Sequence, residues 1–262
     1  MNEKKGKTMA TYNFYYSPTG GTKKVADLLS EEWGDEIIQV DLMKKAMPES
    51  VMSVTSGDLC IFSLPSYGGR IPEGTGDRLA ELSGNGAYAV MVAVYGNRAI
   101  DDTLVEMYDI LTEAGFKCIA GIEAVAEHSL MRQYGKGRPD KQDSEELKNF
   151  AKEIKDAVVN GKVTACPEIP GNRPYRTFGG VPFKPVATSK CVRCGVCAEE
   201  CPAGAIPLSD PKKTDNEKCI SCMHCVTVCP VNARRLNPLV MFVAGNKMKK
   251  VCSGRKNNRL YL

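Results

Sequence analysis

Residues 11–160 alternate between short apolar runs and amphipathic stretches. The apolar runs predict five strands, at Thr11–Tyr16, Ile37–Asp41, Asp58–Ser63, Ala87–Tyr95 and Lys117–Val125. The amphipathic stretches predict helices at Thr22–Trp33, Thr75–Leu82, Asp101–Ala114 and Ser144–Asn160, with a weaker candidate at Pro48–Thr55. Because strands that alternate with helices are typical of βαβ units, this part of the chain predicts an α/β fold with a buried parallel sheet.

Polar, glycine-rich loops follow three of these predicted strands. The first loop reads Ser17-Pro-Thr-Gly-Gly-Thr22, the second Pro65-Ser-Tyr-Gly-Gly-Arg-Ile-Pro72 and the third Tyr95-Gly-Asn-Arg-Ala99. The hydroxyls and backbone N–H groups of the first loop, at a helix start, suit one terminal phosphate. It is neither a Walker loop nor a GxGxxG fingerprint, and a plain glycine-rich turn is the alternative. Since ligands of parallel sheets bind beyond the carboxyl ends of the strands, we look for a binding site here.

Residues 191–230 carry the run C-x2-C-x2-C-x3-C-P twice. The first run holds Cys191, Cys194, Cys197 and Cys201, and the second holds Cys219, Cys222, Cys225 and Cys229. Three cysteines at this spacing on a short loop can each reach a different iron of a 4Fe–4S cube. The chain turns away after the x3 gap, so the fourth ligand has to come from elsewhere. Structural zinc, commonly held by two C-x2-4-C pairs, and disulfides, which belong to oxidising compartments, are weaker alternatives.

The two runs closely resemble a two-cluster bacterial ferredoxin, in which each run gives its fourth cysteine to the other cluster. The resemblance implies cluster I on Cys191, Cys194, Cys197 and Cys229, and cluster II on Cys219, Cys222, Cys225 and Cys201. The first glycine-rich loop resembles the flavodoxin phosphate loop for flavin mononucleotide (FMN). That resemblance implies that the other two loops grip the flavin ring, with stacking by Tyr67 or Tyr95. A flavodoxin-like doubly wound parallel sheet would have the strand order 2-1-3-4-5, which spacing alone does not fix.

Together these segments resemble the flavodoxin–ferredoxin fusion proteins (EFR-type ferredoxins), to about residue 236. The expected organisation is an FMN-binding domain at 9–165, a proline-rich connector at 166–188, a small α+β ferredoxin domain with two [4Fe–4S] clusters at 189–236, and a C-terminal arm at 237–262. The residues expected to contact FMN are Ser17, Thr19, Gly20, Gly21, Thr22, Pro65, Ser66, Tyr67, Gly68, Gly69, Tyr95, Gly96, Asn97 and Arg98.

The leading functional hypothesis is an electron-transfer protein that passes electrons between FMN and the two clusters. It would couple one-electron and two-electron redox partners, whose identity the sequence does not give, and it needs no catalytic residue. The alternative is a flavin-dependent oxidoreductase that reduces a quinone or a nicotinamide at the FMN. The sequence has no separate nicotinamide-binding domain, which weighs against a dedicated NAD(P)H site.

Cysteine usage and charge add to this interpretation. Eight of the twelve cysteines lie in the forty residues of the two runs, which indicates metal binding in a reducing cytosol. A charged start, with a disordered leader expected at Asn2–Lys7, and the lack of a long apolar run predict a cytoplasmic protein without a membrane segment. Residues 1–165 have a net charge of −6 and residues 166–262 a net charge of +10. The opposed charges favour docking of the halves or of an acidic redox partner, or they are simply two solvated surfaces.

Several single residues carry weaker predictions. His128 follows the fifth strand, where a structural histidine is favoured over a proton shuttle to the flavin. His224 is expected to shield a cube, and Cys60 and Cys118 to be small core residues, while Cys166 and Cys252 have no assigned role. Arg70 and Arg98 are either near the flavin or plain surface arginines. The basic tail lacks a nucleic-acid recognition motif, so we expect an arm that packs on the first domain and ends in a solvated basic segment.

Overall fold

The computed structural model of the chain describes residues 9–34, 36–44, 46–49, 51, 54–163 and 168–262. The leader predicted at Asn2–Lys7 and Cys166 lie outside the described residues, as do three positions of the weak helix predicted at Pro48–Thr55. Within the described part of the chain, no helix is both long and apolar enough to cross a bilayer.

The first part of the chain forms an α/β domain of strands and helices in alternation. Its elements are β1 (Thr11–Tyr15), α1 (Gly21–Ser30) with a 3-10 turn at Glu31–Trp33, β2 (Ile37–Asp41), β3 (Leu59–Pro65), α2 (Thr75–Ala80), β4 (Tyr88–Tyr95), α3 (Thr103–Glu113), β5 (Lys117–Val125) and α4 (Lys141–Val159). These strands pair in parallel in the order β2-β1-β3-β4-β5. The predicted fold class and strand order are therefore confirmed.

Both faces of the sheet are buried, as parallel sheets require. On one face the ring of Phe62 stacks on Phe14 at 4.5 Å and meets Phe116 edge-on at 5.2 Å between ring centroids. On the other face Leu29 of α1 and Leu147 of α4 are buried against the strands. The layers thus fix the carboxyl ends of the strands, and with them the loops that follow.

The second part of the chain has little regular structure. Its elements are β6 (Val186–Ala187), α5 (Val196–Glu199), α6 (His224–Thr227), β7 (Arg234–Arg235), α7 (Pro238–Cys252) and β8 (Arg259–Tyr261). β6 and β7 form a small antiparallel pair that brackets the cysteine runs. β8 adds a sixth, antiparallel strand to the edge of the first sheet, beside β5. Three residues give too short a pattern to predict a strand, so the sequence did not reveal it.

A buried charge network ties the C-terminal arm to α4. Asp140 caps the helix and forms a capping box with Asp143, which explains why α4 begins three residues before the predicted start. Asp143 is fully buried and accepts hydrogen bonds from Arg138, from Arg255 at 3.0 Å and from Asn258 at 3.1 Å. The basic segment expected to be solvated is therefore anchored at Arg255.

We expect Asp143→Asn to destabilise the protein by about 3 kcal/mol, because it leaves the buried guanidinium of Arg138 without its counter-charge. Urea unfolding of the cofactor-loaded chain, followed by circular dichroism, measures the change. Glu145→Gln is the matched control, because Glu145 is exposed and faces Lys141 at 3.9 Å. It should cost less than about 0.5 kcal/mol. Equal effects of the two substitutions would contradict a structural role for the network.

The same carboxylate makes the fold sensitive to acid. Burial alone would raise the pKa of Asp143, but hydrogen bonds from Arg138 and from the backbone of Asp140 hold it below its ordinary value. A carboxyl group with a lowered pKa in the folded state stabilises that state fully above its unfolded pKa, about 3.9. The stabilisation is lost as the pH falls through the lowered value. Asp143→Asn should therefore flatten the acid limb of the stability curve.

Candidate cofactor sites

The cysteines of the two runs surround two separate small cavities. The first cysteine cavity is lined by Cys191, Cys194, Cys197 and Cys229, and the second by Cys219, Cys222, Cys225 and Cys201. Each cavity therefore takes three cysteines from one run and the last cysteine from the other. The fold therefore brings together the two sets of four cysteines that the ferredoxin resemblance implies.

The two cavities are built in the same way. The fourth cysteine of each run accepts a backbone hydrogen bond from the residue four positions later, Ala205 N–H to Cys201 Sγ at 3.3 Å and Ala233 N–H to Cys229 Sγ at 3.1 Å. Hydrogen bonds of this kind stabilise a thiolate and tune a cluster that it holds. In Cys229, burial alone would raise the pKa, and backbone N–H groups bring it below the ordinary value.

Arg234 organises the polypeptide around both cavities. Its buried guanidinium donates to the carbonyl oxygens of Pro211 at 3.0 Å and Lys213 at 3.1 Å, and to the hydroxyl of Thr214 at 3.0 Å. It lines the first cysteine cavity. Its charge also lowers the pKa of Cys225 in the second run, although burial dominates and raises that pKa to about 11. Arg234 thus supplies positive charge close to thiolates of both runs.

The donor set suits cubes better than one zinc ion. Eight thiols in two groups of four match the requirement of two 4Fe–4S cubes. Four ligands of a single zinc ion have to lie within about 2.3 Å of it. Across the described ranges, no three His, Cys, Asp or Glu side chains are gathered closely enough for one ion.

A third cavity, of about 370 Å³, lies at the carboxyl ends of the strands. We call it the strand-end cavity, and its volume is in the range of small-molecule sites. All three glycine-rich loops contribute to it, through Thr19, Gly21, Thr22, Pro65, Ser66, Tyr67, Gly68, Tyr95, Gly96 and Arg98. Ten of the fourteen residues expected to contact FMN are thus brought together.

The other four, Ser17, Gly20, Gly69 and Asn97, lie outside its wall. Asn97 is buried, and its amide donates to the carbonyl oxygens of Cys252 at 2.6 Å and Gly254 at 2.7 Å. It therefore fastens the C-terminal arm beside the cavity. Ser17 and Gly20 belong to the first loop, whose neighbouring residues form part of the cavity wall.

The first loop has the construction of an anion cradle. Gly20 adopts a left-handed backbone (φ +86°) that turns the chain directly into α1. Ser17 Oγ accepts from the backbone N–H of Lys23 at 2.8 Å, which leaves the hydroxyl hydrogen able to donate to an anion. The first N–H groups of α1 have no partner within the helix. The loop can thus hold a phosphate without a lysine.

His128 and Arg98 also line the strand-end cavity. His128 Nδ1 accepts the N–H groups of Leu130 at 3.2 Å and Met131 at 3.3 Å, so the proton is on Nε2. Burial, with the charge of Arg98, lowers the pKa of His128 to about 4 and keeps the ring neutral. Arg98 pairs with Asp101. Arg70, in contrast, pairs with Glu106 at 2.6 Å and is not part of the wall of this cavity.

Sequence reasoning missed much of the opposite wall. The connector contributes Phe178, Val181, Pro182 and Phe183, α7 contributes Met248, and the second cysteine run contributes Ile220 and Ser221. The ring of Phe178 lies where a Cβ atom of Gly68 would be. The only local signal was the proline-rich composition of the connector, which indicates a stiff segment but not where it lies.

Direct contacts join the second cysteine run to the first loop. His224, between Cys222 and Cys225, lies 2.9 Å from the carbonyl oxygen of Pro18 through Nδ1. A carbonyl only accepts, so Nδ1 carries the proton. On the neighbouring strand end, burial raises the pKa of Tyr67, and the negative charge of Cys222 adds to the effect. Tyr67 therefore stands close to both the strand-end cavity and the second cysteine cavity.

Comparisons with known proteins give matches to each of the two parts of the chain. Residues 190–233 match the family of the 4Fe-4S dicluster domain. Among solved structures, flavodoxin 2 from Bacillus cereus is similar (18% identity, 56% of this chain, 98% of that chain, TM-score 0.44), as is the flavodoxin from Fusobacterium nucleatum bound to flavin mononucleotide (15% identity, 56% and 97%, TM-score 0.43). Comparison with curated proteins gives no match.

The sheet order and the cysteine cavities define the class of protein. The first part is a flavodoxin-like α/β domain, as its own strand order shows, and the cysteine runs form a 4Fe–4S domain. A flavodoxin-like domain joined to a 4Fe–4S domain is the combination that the resemblance to flavodoxin–ferredoxin fusions predicts, and that prediction is confirmed.

Proposed function

We propose that the protein binds one FMN in the strand-end cavity and two [4Fe–4S] clusters in the cysteine cavities, and carries electrons between them. When bound, FMN exchanges one or two electrons and each cube exchanges one at a time, which would couple two-electron to one-electron partners. The role of the polypeptide is to hold the three cofactors in order along the electron path and to exclude water from them. An electron-transfer role for the flavodoxin-like and 4Fe–4S parts is supported by the fold and the family match.

One observation carries this proposal. Ile220 and Ser221, which stand between the cluster II ligands Cys219 and Cys222, are themselves part of the wall of the strand-end cavity. A ring in that cavity would therefore meet the loop that wraps the second cube. The first cysteine cavity shares no wall residue with the strand-end cavity, so the proposed order is flavin, cluster II, cluster I.

The residues of the chain have separable tasks. The first loop and the start of α1 would bind the phosphate, and Tyr67 and Tyr95 offer flat apolar surfaces to the ring. His128, neutral at physiological pH, would donate from Nε2 and is not a source of protons. Phe178, Val181 and Pro182 cover the site from the connector side.

The alternative, reduction of a quinone or nicotinamide at the flavin, needs a second planar molecule in the same space. Side chains of the connector and of the second cysteine run occupy that side of the strand-end cavity. Rapid mixing of the loaded protein with NADH or NADPH separates the two functions. Flavin bleaching within milliseconds and without a partner protein would favour the oxidoreductase, whereas the electron carrier should react slowly.

Cofactor analysis of anaerobically purified protein tests the proposal. We expect one FMN, about eight irons and about eight acid-labile sulfides per chain. Partial photoreduction of the flavin should then be followed by reduction of a cluster in the same molecule. Stoichiometric zinc without sulfide, or a protein that neither contains nor binds FMN, would refute it.

A further inference from the structure

The two cysteine-bearing loops have equivalent positions and the same backbone conformation, but the rest of the protein covers them differently. Position by position, Val192, Arg193 and Cys194 of the first loop correspond to Ile220, Ser221 and Cys222 of the second. The backbone repeats as well, because Arg193 and Ser221 both have φ +57°. A difference in exposure between the two loops therefore comes from what covers them.

The second loop is covered by the rest of the protein. Ser221 and Cys222 are only 3% and 8% exposed, and the Ser221 hydroxyl donates to the carbonyl oxygen of Val181 in the connector at 3.3 Å. This is the face turned toward the strand-end cavity. In the proposed function this face is the internal contact between the flavin and cluster II.

The first loop leaves the same face open. Val192 is 64% exposed, Cys194 is the one exposed cysteine among the cluster ligands, and Leu208 and Val231 beside them are exposed as well. Val192 and Val231 line the first cysteine cavity directly. An open apolar patch over a thiolate ligand is what a transient redox contact requires, since little protein then separates the two centres.

The charge on this face selects the partner. Where the covered loop has the neutral Ser221, the open loop has the exposed Arg193. The exposed Lys190 adjoins this loop in the chain, and the exposed Lys212 directly follows Pro211 of the first cysteine cavity wall. Opposing charges are Glu199, near Gly195, and Asp210, which accepts from the backbone of Lys212 and lies 3.8 Å from Lys213. The side-chain balance is positive. Residues 166–262 have a net charge of +10, and it stays at roughly +6 when two oxidised cubes with their thiolates are counted.

We propose that Val192, Arg193 and Cys194, with Leu208 and Val231, form the docking surface for an acidic one-electron carrier protein. Resting on the proposed function, this makes cluster I the exchange point with the outside and cluster II the internal link. The step moves one electron: the cube held by Cys194 is oxidised by one electron as the metal centre of the carrier is reduced by one. No bond is broken and no proton is transferred.

Charge-reversal variants test the surface. Calorimetric titration of the oxidised, cofactor-loaded protein with an acidic plant-type ferredoxin measures binding. Arg193→Glu should raise Kd about tenfold at low ionic strength and less as salt is added, equivalent to about 1.4 kcal/mol. Lys141→Glu makes the same charge change on α4, where the side chain is 92% exposed, and should change Kd less than twofold.

A basic c-type cytochrome is the second probe. Arg193→Glu should bind it more tightly than the parent does, and the rate constant for electron transfer from the dithionite-reduced protein should rise accordingly. Val192→Ser should weaken ferredoxin binding at all salt concentrations, because it removes apolar contact and no charge. Lys212→Glu, outside the cysteine runs, repeats the charge reversal if Arg193→Glu disturbs the cube.

The outcomes separate the two proposals. Missing FMN or clusters, or no electron transfer between them, would refute the proposed function. Intact cofactors and internal transfer, with Arg193→Glu and Lys212→Glu indistinguishable from Lys141→Glu, would refute the docking surface alone. So would a parent protein that neither binds the acidic ferredoxin nor exchanges electrons with it.

Discussion

Cys201→Ala should abolish cluster II and leave cluster I in place, although Cys201 belongs to the first cysteine run. The reason is that Cys201 lines the cavity of Cys219, Cys222 and Cys225. Iron and sulfide should fall by about half, since one of two cubes is lost. Electron transfer from the flavin should fall by at least about a hundredfold, because the cube next to the flavin is missing.

Each cluster takes its fourth cysteine from the other run, and we call this the crossed pairing. It provides the control for this experiment. The electron paramagnetic resonance spectrum of dithionite-reduced Cys201→Ala should match that of Cys219→Ala and differ from that of Cys191→Ala. Cys229→Ala should instead match Cys191→Ala and keep the flavin coupled to the remaining cube. Cys118→Ala, in the core of the first domain, should keep both cubes. The crossed pairing is falsified if Cys201→Ala shares its spectrum with Cys191→Ala.

Gly68→Ala should weaken FMN binding about a hundredfold. Gly68 has a left-handed backbone (φ +61°), and an added Cβ would meet the ring of Phe178. Backbone strain of about 1–2 kcal/mol and overpacking of about 1–3 kcal/mol both act on a loop that lines the cavity. Together they correspond to roughly two orders of magnitude in Kd. Quenching of flavin fluorescence, titrated into FMN-depleted protein, measures it.

Two further variants separate the contribution of backbone strain to FMN affinity from that of the steric contact with Phe178. Gly74→Ala shares the left-handed backbone (φ +76°), but nothing lies within 4 Å of the added Cβ, and it is not on the strand-end cavity. It should leave FMN affinity unchanged. In Gly68→Ala combined with Phe178→Ala, the steric part should be relieved and about tenfold of the affinity regained. If Gly68→Ala binds FMN as tightly as the parent protein does, the flavin does not lie in the strand-end cavity.

Local patterns predicted the first domain closely. The β-branched and aromatic runs marked all five parallel strands within two residues, because each strand is buried on both faces and so has a continuous apolar signal. The cysteine spacing predicted the kind of metal site for a similar reason, since the ligands of one loop are neighbours in sequence. The start of α4 was missed by three residues because the Asp140 cap is a polar signal outside the apolar pattern.

The sequence determined by itself the parallel sheet, the glycine-rich loops at its strand ends and the two runs of four cysteines. Tertiary structure alone decided that Ile220 and Ser221 close the strand-end cavity, that Phe178 lies on Gly68, and that Arg255 is anchored on α4. It also left Val192 and Arg193 uncovered where their counterparts are buried. These contacts join residues far apart in the chain, and no short-range periodicity records which segment will cover which.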